Sequence, residues 1–303
     1  MAFTAKDVQA LREKTGCGMM DCKKALTECN GDMDAAIDFL REKGLASQAK
    51  KAGRVAAEGT VCAIVKNGVG AVLEMNAETD FVANGEPFKT LAQKISEVVI
   101  DQNPADLDAL LKCSVDGNTV EEMVQELFLA IRENIKVRRF MRFEGKLVSY
   151  VHAGGKIGVM VKFDTDLDAD NADFVTMGKN VAMQIAAMNP SFLDEASVPA
   201  EVLAKEKEIL IAQMKEDPKM ANKPDAVLGK IVEGKIGKYY KENCLVEQQY
   251  VIDGDLTVGK YVESVAKQLG ASIKIDSFVR FEKGEGIEKR VDDFASEVAS
   301  MIK

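Results

Sequence analysis

The first part of the chain places apolar residues at helical spacing, interrupted by glycines. A first helix is predicted to start with a capping box at Thr4, and a second to stop at Asn30-Gly31. A third helix is expected to begin after Asp32 as its N-cap and to end at Gly44. The basic stretch QAKKAGR over residues 48–54 then predicts a linker after this three-helix module.

After the linker the apolar period changes from helical to alternating. Two runs rich in β-branched residues, 58–66 and 69–76, are joined by Asn67-Gly68, which is the strongest short signal for a β-hairpin. Helices are predicted over 84–100 and from a second capping box that opens at Thr119.

A weak internal repeat covers two such hairpins. The segment GTVCAIVKNGVGAVLEMN from Gly59 resembles GKLVSYVHAGGKIGVMVKF from Gly145, and each leads to an Asp-Phe-Val triplet, at 80–82 and at 173–175. Because a hairpin alone cannot bury its apolar face, we expect the helix after each triplet to pack on it. The sequence therefore predicts an α+β fold with two related core subdomains built on antiparallel sheets.

The alternating pattern disappears between residues 198 and 243. Two Lys/Glu-rich segments, 199–216 and 224–242, predict an antiparallel helical hairpin that projects from the globule. Its thin apolar stripe is covered either by the two helices themselves or by a second copy of the chain. A helix over 257–269, a strand over 273–281 and a final helix are predicted after the chain returns to the core.

These patterns divide the 303 residues into five units. The predicted units are a three-helix module with its linker (1–55), a first core subdomain (56–140), a second core subdomain (141–198 and 245–283), the helical hairpin (199–244) and a C-terminal helix (284–303). The hairpin is a candidate surface for a homodimer.

The composition narrows the possible functions. Lys and Arg total 40 against 49 Asp and Glu, and the net charge of −9 disfavours a protein that wraps nucleic-acid phosphates. His152 is the only histidine, which makes His-based triads and multi-histidine metal sites implausible. The six cysteines, without a C-x-x-C motif or a secretory signal, indicate free thiols in a reducing compartment. No apolar run approaches the roughly 20 residues that span a bilayer, so we expect a cytoplasmic protein without membrane contact.

No catalytic constellation is found. Every Gly-Lys pair is followed by Leu, Ile or Tyr, so the phosphate-binding motif G-x-x-x-x-G-K-[ST] is absent from the sequence. The tetrapeptide NKPD at 222–225 mimics a guanine-recognition motif of GTPases, but it falls between two predicted helices instead of after a buried strand. We therefore predict no catalytic residue, no metal ion and no cofactor.

A polar loop at residues 76–85 suggests a protein partner instead. It contains Phe81, which either folds back onto the hairpin or forms, with the adjacent Asp80, an aromatic wedge for a pocket on another protein. Phe174, the aromatic residue of the second triplet, favours the first alternative because a buried phenylalanine is the common case.

Methionines at the start of the second helix present the same choice. Met19 and Met20 point about 100° apart on a helix, so a module this small is not expected to cover both, and thioethers suit an adaptable contact surface. His152, at the turn of the second hairpin, is expected to be a polar surface residue. The cations of the linker predict a solvated charge run, with phosphate contact as the minority alternative.

Three motifs carry a resemblance to a known family. They are LRxxTGxGMMDCKKAL from Leu11, TDFV from Thr79 and RFExGEG from Arg280, and they occur in this order along essentially the full chain. Together they resemble the bacterial elongation factor Ts family. Cys17 departs from the pattern, since the family has a small residue there, and the helical hairpin is among its more variable regions.

The resemblance implies a ubiquitin-associated-like N-terminal module and a function as a guanine nucleotide exchange factor, not an enzyme, for the GTPase elongation factor Tu. It also implies that one short segment disturbs the Mg²⁺ and phosphate site of the partner. The residues of that segment are Thr79, Asp80, Phe81 and Val82.

The resemblance assigns further partner contacts to both halves of the chain. Arg12, Met19 and Met20 would bind the nucleotide domain of the partner from another side, and His152 would contact a different partner domain. No direct contact with nucleic acid is expected. A protein- or RNA-binding scaffold without exchange activity remains the alternative, and a conventional enzyme is the weakest one.

Overall fold

The computed structural model describes residues 3–216 and 225–288. Helices and small antiparallel sheets make up the described chain, which confirms the α+β class. The loop between the two predicted hairpin helices lies outside these residues, as does the predicted C-terminal helix from residue 289 onward. Residues 284–288, the described part of that last unit, are not helical.

The elements follow one another along the chain in four groups. The N-terminal module contains α1 (Ala5–Thr15), α2 (Met19–Glu28) and α3 (Met33–Lys51). The first sheet and its helices comprise β1 (Glu58–Lys66), β2 (Val69–Ala77), α4 (Asp80–Asn84), α5 (Glu86–Gln102), α6 (Leu107–Lys112), β3 (Ser114–Val115), β4 (Asn118–Thr119), α7 (Val120–Ile131) and β5 (Lys136–Glu144). The second sheet begins with β6 (Lys146–His152), β7 (Ile157–Thr165) and α8 (Ala172–Met188). The helical hairpin and the return to the core comprise α9 (Ala200–Glu216), α10 (Asp225–Asn243), α11 (Val258–Leu269) and β8 (Ile273–Glu282).

Local capping signals set the helix starts of the module as predicted. The Thr4 hydroxyl accepts the amide of Asp7 at 3.4 Å, and the Asp7 carboxylate accepts the amide of Thr4 at 2.7 Å, which confirms the capping box. Asp32 caps α3 through the amide of Ala35 at 3.0 Å. Gly16 ends α1 with a φ of 67°, a conformation that favours glycine.

Helix α3 does not end at Gly44, as predicted, but continues to Lys51, so the predicted linker is helical over its first half. Gly44 is buried where α3 packs against α7, and a Cβ atom there would collide with the side chain of Leu129. The missing side chain therefore permits close helix packing and does not terminate the helix. Leu129 also belongs to the apolar cluster of the N-terminal module, so this contact seats the module on the core.

Replacing Gly44 with alanine should lower the free energy of unfolding by about 1 kcal/mol, because overpacking against Leu129 outweighs the gain in helix propensity. Gly229→Ala in α10 is the matched control, since nothing lies within 4 Å of a Cβ atom there. That variant should gain about 0.5–1 kcal/mol. Urea unfolding measures both changes, and stabilisation by both substitutions would contradict the packing role of Gly44.

The two main sheets share one architecture. Their strand orders are β1-β2-β5 and β6-β7-β8, and all pairings are antiparallel. In each sheet the register shifts between the middle and the last strand, at Glu74/Met75 in the first and at Lys162/Phe163 in the second. This common order and bulge confirm the predicted repeat.

Strand β5 completes the first sheet and was not predicted. Its sequence KVRRFMRFE carries three arginines, so it lacks the apolar alternation on which the other strands were recognised. It pairs with β2 from Lys136 to Glu144 and thus spans the predicted boundary between residues 140 and 141. The division into five units otherwise stays a prediction.

The two sheets pack against each other through a small apolar cluster. Its members are Val61, Ala63, Val72, Leu147, Met160, Val279 and Phe281. The turn after β6 approaches β1 closely: the amide of Val61 donates to the carbonyl of Gly155 at 2.8 Å, and a Cβ atom at Gly155 would collide with Thr60. Gly155 therefore fits this contact both by its space and by its φ of 101°.

The predicted helical hairpin is present as α9 and α10. Part of its apolar stripe is covered within the hairpin by a cluster around Met214, Leu228, Val232 and Ile236, whereas Ile209, Ile211 and Val227 are exposed, so both alternatives left open by the sequence remain. A homodimer through the hairpin stays a prediction. The chain returns to the core through an isolated bridge from Gln249 to Thr257.

Candidate functional site

The predicted polar loop at residues 76–85 is a strand end followed by the short helix α4. Thr79 caps this helix, because its hydroxyl accepts the amide of Val82 at 3.3 Å. The first two helical residues, Asp80 and Phe81, are exposed, and 87% of the Phe81 surface is accessible. We call residues 79–82 the tip. The alternative in which Phe81 folds back onto the hairpin is wrong.

The phenylalanine of the second triplet, Phe174, faces the core instead of the solvent. Phe174 is completely buried in the core of the second sheet, where it contacts Phe163 edge to face. Phe174 is the third residue of its helix, counted from the cap Asn171, whereas Phe81 is the second, counted from Thr79. Since the third residue faces the core in both helices, this one-residue offset turns the aromatic ring outward in the first copy.

Val82 occupies the third position of α4 and is buried. It packs in the core of the first sheet beside Ala83, with 8% of its surface accessible. Its side chain therefore anchors the tip from below and does not face a partner directly, in contrast to the role that the resemblance implies for it.

A connector of three residues, Arg132, Glu133 and Asn134, holds the tip from the side. The Glu133 carboxylate accepts the amide of Thr79 at 3.0 Å and its hydroxyl at 2.7 Å. Glu78, the residue before Thr79, also contacts the connector: its carboxylate accepts the amide of Asn134 at 2.7 Å. The start of the tip is thus tied to the connector by three hydrogen bonds to carboxylates, which are stronger than neutral ones.

The same connector binds the N-terminal module. The guanidinium of Arg132 pairs with Asp21 of α2 at 2.9 Å, and the carbonyl of Arg132 accepts the Lys51 ammonium at 2.5 Å. The side-chain amide of Asn134 donates to the carbonyls of Ala52 and Arg54. Asp21 follows the two methionines directly, so the connector contacts elements that carry two of the predicted partner surfaces.

The predicted contact residues of the module are on its surface. Met19 and Met20 are the first residues of α2, with 43% and 73% of their surfaces accessible. Neither methionine is fully covered, as the helical geometry predicts. Arg12 is exposed on α1, and its carbonyl accepts the amide of Gly16 at 2.8 Å where the helix ends.

His152 lies at the end of β6, in the second subdomain, and is exposed as predicted. Its Nδ1 atom is 2.9 Å from the hydroxyl of Tyr150. The turn that follows contacts β1 through Gly155, so His152 is held near the junction of the sheets. His152 thus lies on the second sheet, whereas the tip follows β2 of the first.

Comparison with known proteins identifies the family. A family model described as "Elongation factor TS" matches residues 78–285. Elongation factor Ts of Clostridium perfringens is 50% identical over 99% of both chains, and that of Syntrophotalea carbinolica is 47% identical over the full length of both. Elongation factor Ts of Clostridium botulinum is 46% identical over 98% of this chain and 97% of its own.

The chain belongs to the elongation factor Ts family. Membership makes it a factor of translation elongation. The family model begins at Glu78, so the tip and the connector fall inside the match and the N-terminal module precedes it, although the full-length relatives cover both. No helix in the described part of the chain is long and apolar enough to cross a membrane.

The third elongation factor Ts motif, RFExGEG, forms a buried ionic network that the sequence did not reveal. Glu74 of β2 is fully buried and accepts hydrogen bonds from Arg138 at 2.9 Å, from Arg139 at 2.6 Å and from the amide of Gly284 at 2.7 Å. The Arg139 guanidinium lies 4.1 Å from the centre of the Phe281 ring. The motif therefore joins the end of β8 to the first sheet.

Electrostatics keep Glu74 ionised in this network. Burial alone would raise the pKa of its carboxyl, but the hydrogen bonds from Gly284, Arg138, Arg139 and Asn76 outweigh burial and hold the pKa below its usual range. A run of buried apolar residues is visible in the hydropathy pattern of a sequence. A single acidic residue in a strand is not, because nothing in the pattern distinguishes a buried acid from an exposed one. Sequence reasoning missed Glu74 for this reason.

The titratable groups elsewhere are structural in character. In the described part of the chain, no group of three or more His, Cys, Asp or Glu side chains is arranged to hold a metal ion. All six cysteines are free thiols, as predicted, and burial raises the pKa of Cys244 to about 11. Two linker cations are bound within the chain: Lys51 contacts Arg132, and Arg54 pairs with Glu78 at 3.3 Å. Lys50 and Arg54 are nevertheless exposed, as expected for a solvated charge run.

Proposed function

We propose that the chain is a guanine nucleotide exchange factor that acts on elongation factor Tu and accelerates the release of GDP, so that GTP can bind. Membership in the elongation factor Ts family supports this proposal. The observation that carries it is the exposed aromatic ring of Phe81 on a helix whose base is fixed from two sides. We expect the exchange to take place in the cytoplasm.

The mechanism rests on an apolar wedge beside a charge. Exposed phenylalanines are rare because burial of such a ring contributes roughly 1.5–3 kcal/mol, so a pocket on the partner provides a favourable position for Phe81. Inserting the ring brings the Asp80 carboxylate to the same place. In a GTPase, Mg²⁺ and backbone amides hold the phosphates of GDP. A ring and a negative charge placed there displace the groups that position Mg²⁺ and weaken the hold on GDP.

Additional contacts supply the binding energy that this displacement needs. Met19, Met20 and Arg12 bind the same partner domain from the N-terminal module, and His152 contacts another domain. The module surface and the tip share the connector as a base, so both sets of contacts can form with little rearrangement of this chain.

Linkage explains why binding accelerates release. If the chain binds nucleotide-free partner more tightly than the GDP complex, GDP must bind the chain–partner complex more weakly by the same factor. A high concentration of GTP then displaces the chain and completes the cycle. The chain needs no nucleotide site of its own for this role.

Release of a fluorescent GDP analogue from purified elongation factor Tu tests the proposal. Catalytic amounts of the chain should accelerate release by orders of magnitude, while the chain alone should bind no analogue. Unchanged release at saturating concentrations of the chain would refute the exchange function and leave a non-catalytic scaffold. Steeply salt-dependent binding of RNA would then support that alternative.

A further inference from the structure

The proposed function gives no role to the carboxylate of Glu133 in the connector. Glu133 is half-buried, and both of its carboxylate oxygens accept hydrogen bonds from one residue, Thr79. The Thr79 hydroxyl donates to Glu133 and at the same time accepts the amide of Val82. Glu133 thereby fixes the rotation of the hydroxyl in the orientation that caps α4.

We propose that Glu133 is a positioning residue for nucleotide exchange. It fixes the direction in which the exposed ring of Phe81 points away from the core. This inference rests on the proposed function. Glu133 itself does not touch the partner in this role, and it acts through Thr79.

The length of α4 explains why the tip needs such a residue. Isolated helices shorter than about 12–15 residues are marginal in water, and α4 spans only Asp80–Asn84. Its direction therefore depends on what holds its two ends. Val82 and Ala83 anchor the inner face in the core, whereas the cap is held by Glu133. Without the carboxylate, the exposed ring is expected to sample several directions.

The surroundings make Glu133 a rigid support. Arg132 before it adopts a φ of 66°, which is unusual for a residue with a side chain, and its two polar ends bind Asp21 and Lys51. Asn134 after it is buried, and its backbone and side-chain amides are both hydrogen-bonded. With both neighbours fixed, the carboxylate is preorganised and loses little entropy when it binds Thr79.

Positioning predicts a loss of rate without a loss of fold. The other proposed partner contacts lie outside the tip, so a molecule whose ring points elsewhere still binds but does not accelerate release. The maximal rate of exchange then falls with the fraction of bound molecules whose ring is in the competent direction. We expect Glu133→Ala to lower the maximal rate of GDP release about tenfold and Glu133→Gln to lower it less, because the carboxamide oxygen still accepts one of the two bonds. The half-saturating concentration and the thermal midpoint should change little.

A double-mutant cycle separates positioning from a general structural role. When Phe81→Ala removes the ring, Glu133→Ala should reduce exchange by less than about twofold further, because there is no ring left to orient. Glu121→Ala, at an exposed site on α7, is the matched control and should leave exchange unchanged. An equal loss with and without Phe81 would overturn the proposal.

A second readout needs no partner. The chain contains no tryptophan, so Phe81→Trp introduces a single tryptophan at the tip, which can be excited apart from the five tyrosines. Adding Glu133→Ala should enlarge the fast component of its anisotropy decay, whereas adding Glu121→Ala should not. Unchanged anisotropy would overturn the proposal even if exchange falls. If the tip becomes mobile but exchange is unaffected, the positioning role in exchange is wrong. Absence of any exchange by the unmodified chain would instead refute the proposed function.

Discussion

Replacing Phe81 with alanine should slow the release of GDP from elongation factor Tu about 30-fold or more at limiting concentrations of the chain. Central aromatic anchors of interfaces typically contribute at least about 2 kcal/mol to binding, and the tip offers one such ring. The free energy of unfolding should change by less than about 0.5 kcal/mol, because the ring is 87% exposed and leaves no cavity. Stopped-flow release of a fluorescent GDP analogue and urea unfolding measure the two effects.

The repeat supplies a matched control for this prediction. Phe174→Ala deletes the same side chain from the second triplet, where it is buried, and should cost about 3–5 kcal/mol of folding stability. Asp80→Asn tests the adjacent charge and should slow exchange less than Phe81→Ala. A large loss of stability on Phe81→Ala, with exchange unaffected once folding is corrected, would show that the ring is not a partner contact.

Replacing Glu74 with glutamine should lower the free energy of unfolding by about 3 kcal/mol, the lower end for breaking a buried ion pair. The carboxylate accepts hydrogen bonds from two arginines and from the amide of Gly284, and glutamine leaves Arg138 without a counter-charge and Arg139 with Glu285 alone among the described residues. Glu144→Gln, which removes the exposed acid beside Arg142, is the control and should cost less than about 1 kcal/mol. Similar denaturant midpoints for the two variants would contradict a central role for Glu74.

The dependence of folding stability on pH provides a second test of Glu74. Because the pKa of Glu74 is lower in the folded chain than in the unfolded one, its stabilisation is complete above about pH 4.3, the usual value for a glutamate. It is lost as the pH falls through the folded pKa. The stability difference between the unmodified chain and Glu74→Gln should therefore shrink below about pH 4. A difference that stays constant down to pH 3 would rule out an ionised Glu74 as the cause.

The elements that the sequence predicted well are those set by local chemistry. The capping boxes at Thr4 and Thr119 and the Asn67-Gly68 turn each require only residues within a few positions, and the structure contains all of them. The order of the repeat was also predictable, because it depends on apolar periods that a hairpin and its helix impose. Local signals of this kind fix where elements start, but not what they pack against.

The elements that the sequence did not predict depend on distant contacts. Gly44 looked like a helix end because its real neighbour, Leu129, is 85 residues away along the chain. Strand β5 lacks an apolar alternation because two of its three arginines, Arg138 and Arg139, pair with the buried Glu74. For the tip, the ring direction follows from the position of a helix cap, and the connector that binds it lies more than 50 residues later. No periodicity carries such information.

The offset between the two triplets shows how two similar units can use the same three residues for different tasks. When the helix starts one residue closer to the phenylalanine, the ring faces solvent instead of the core. The valine that follows then occupies the buried position. The cap decides which of the two tasks the ring takes, because Thr79 and Asn171 lie one position apart relative to the same three residues.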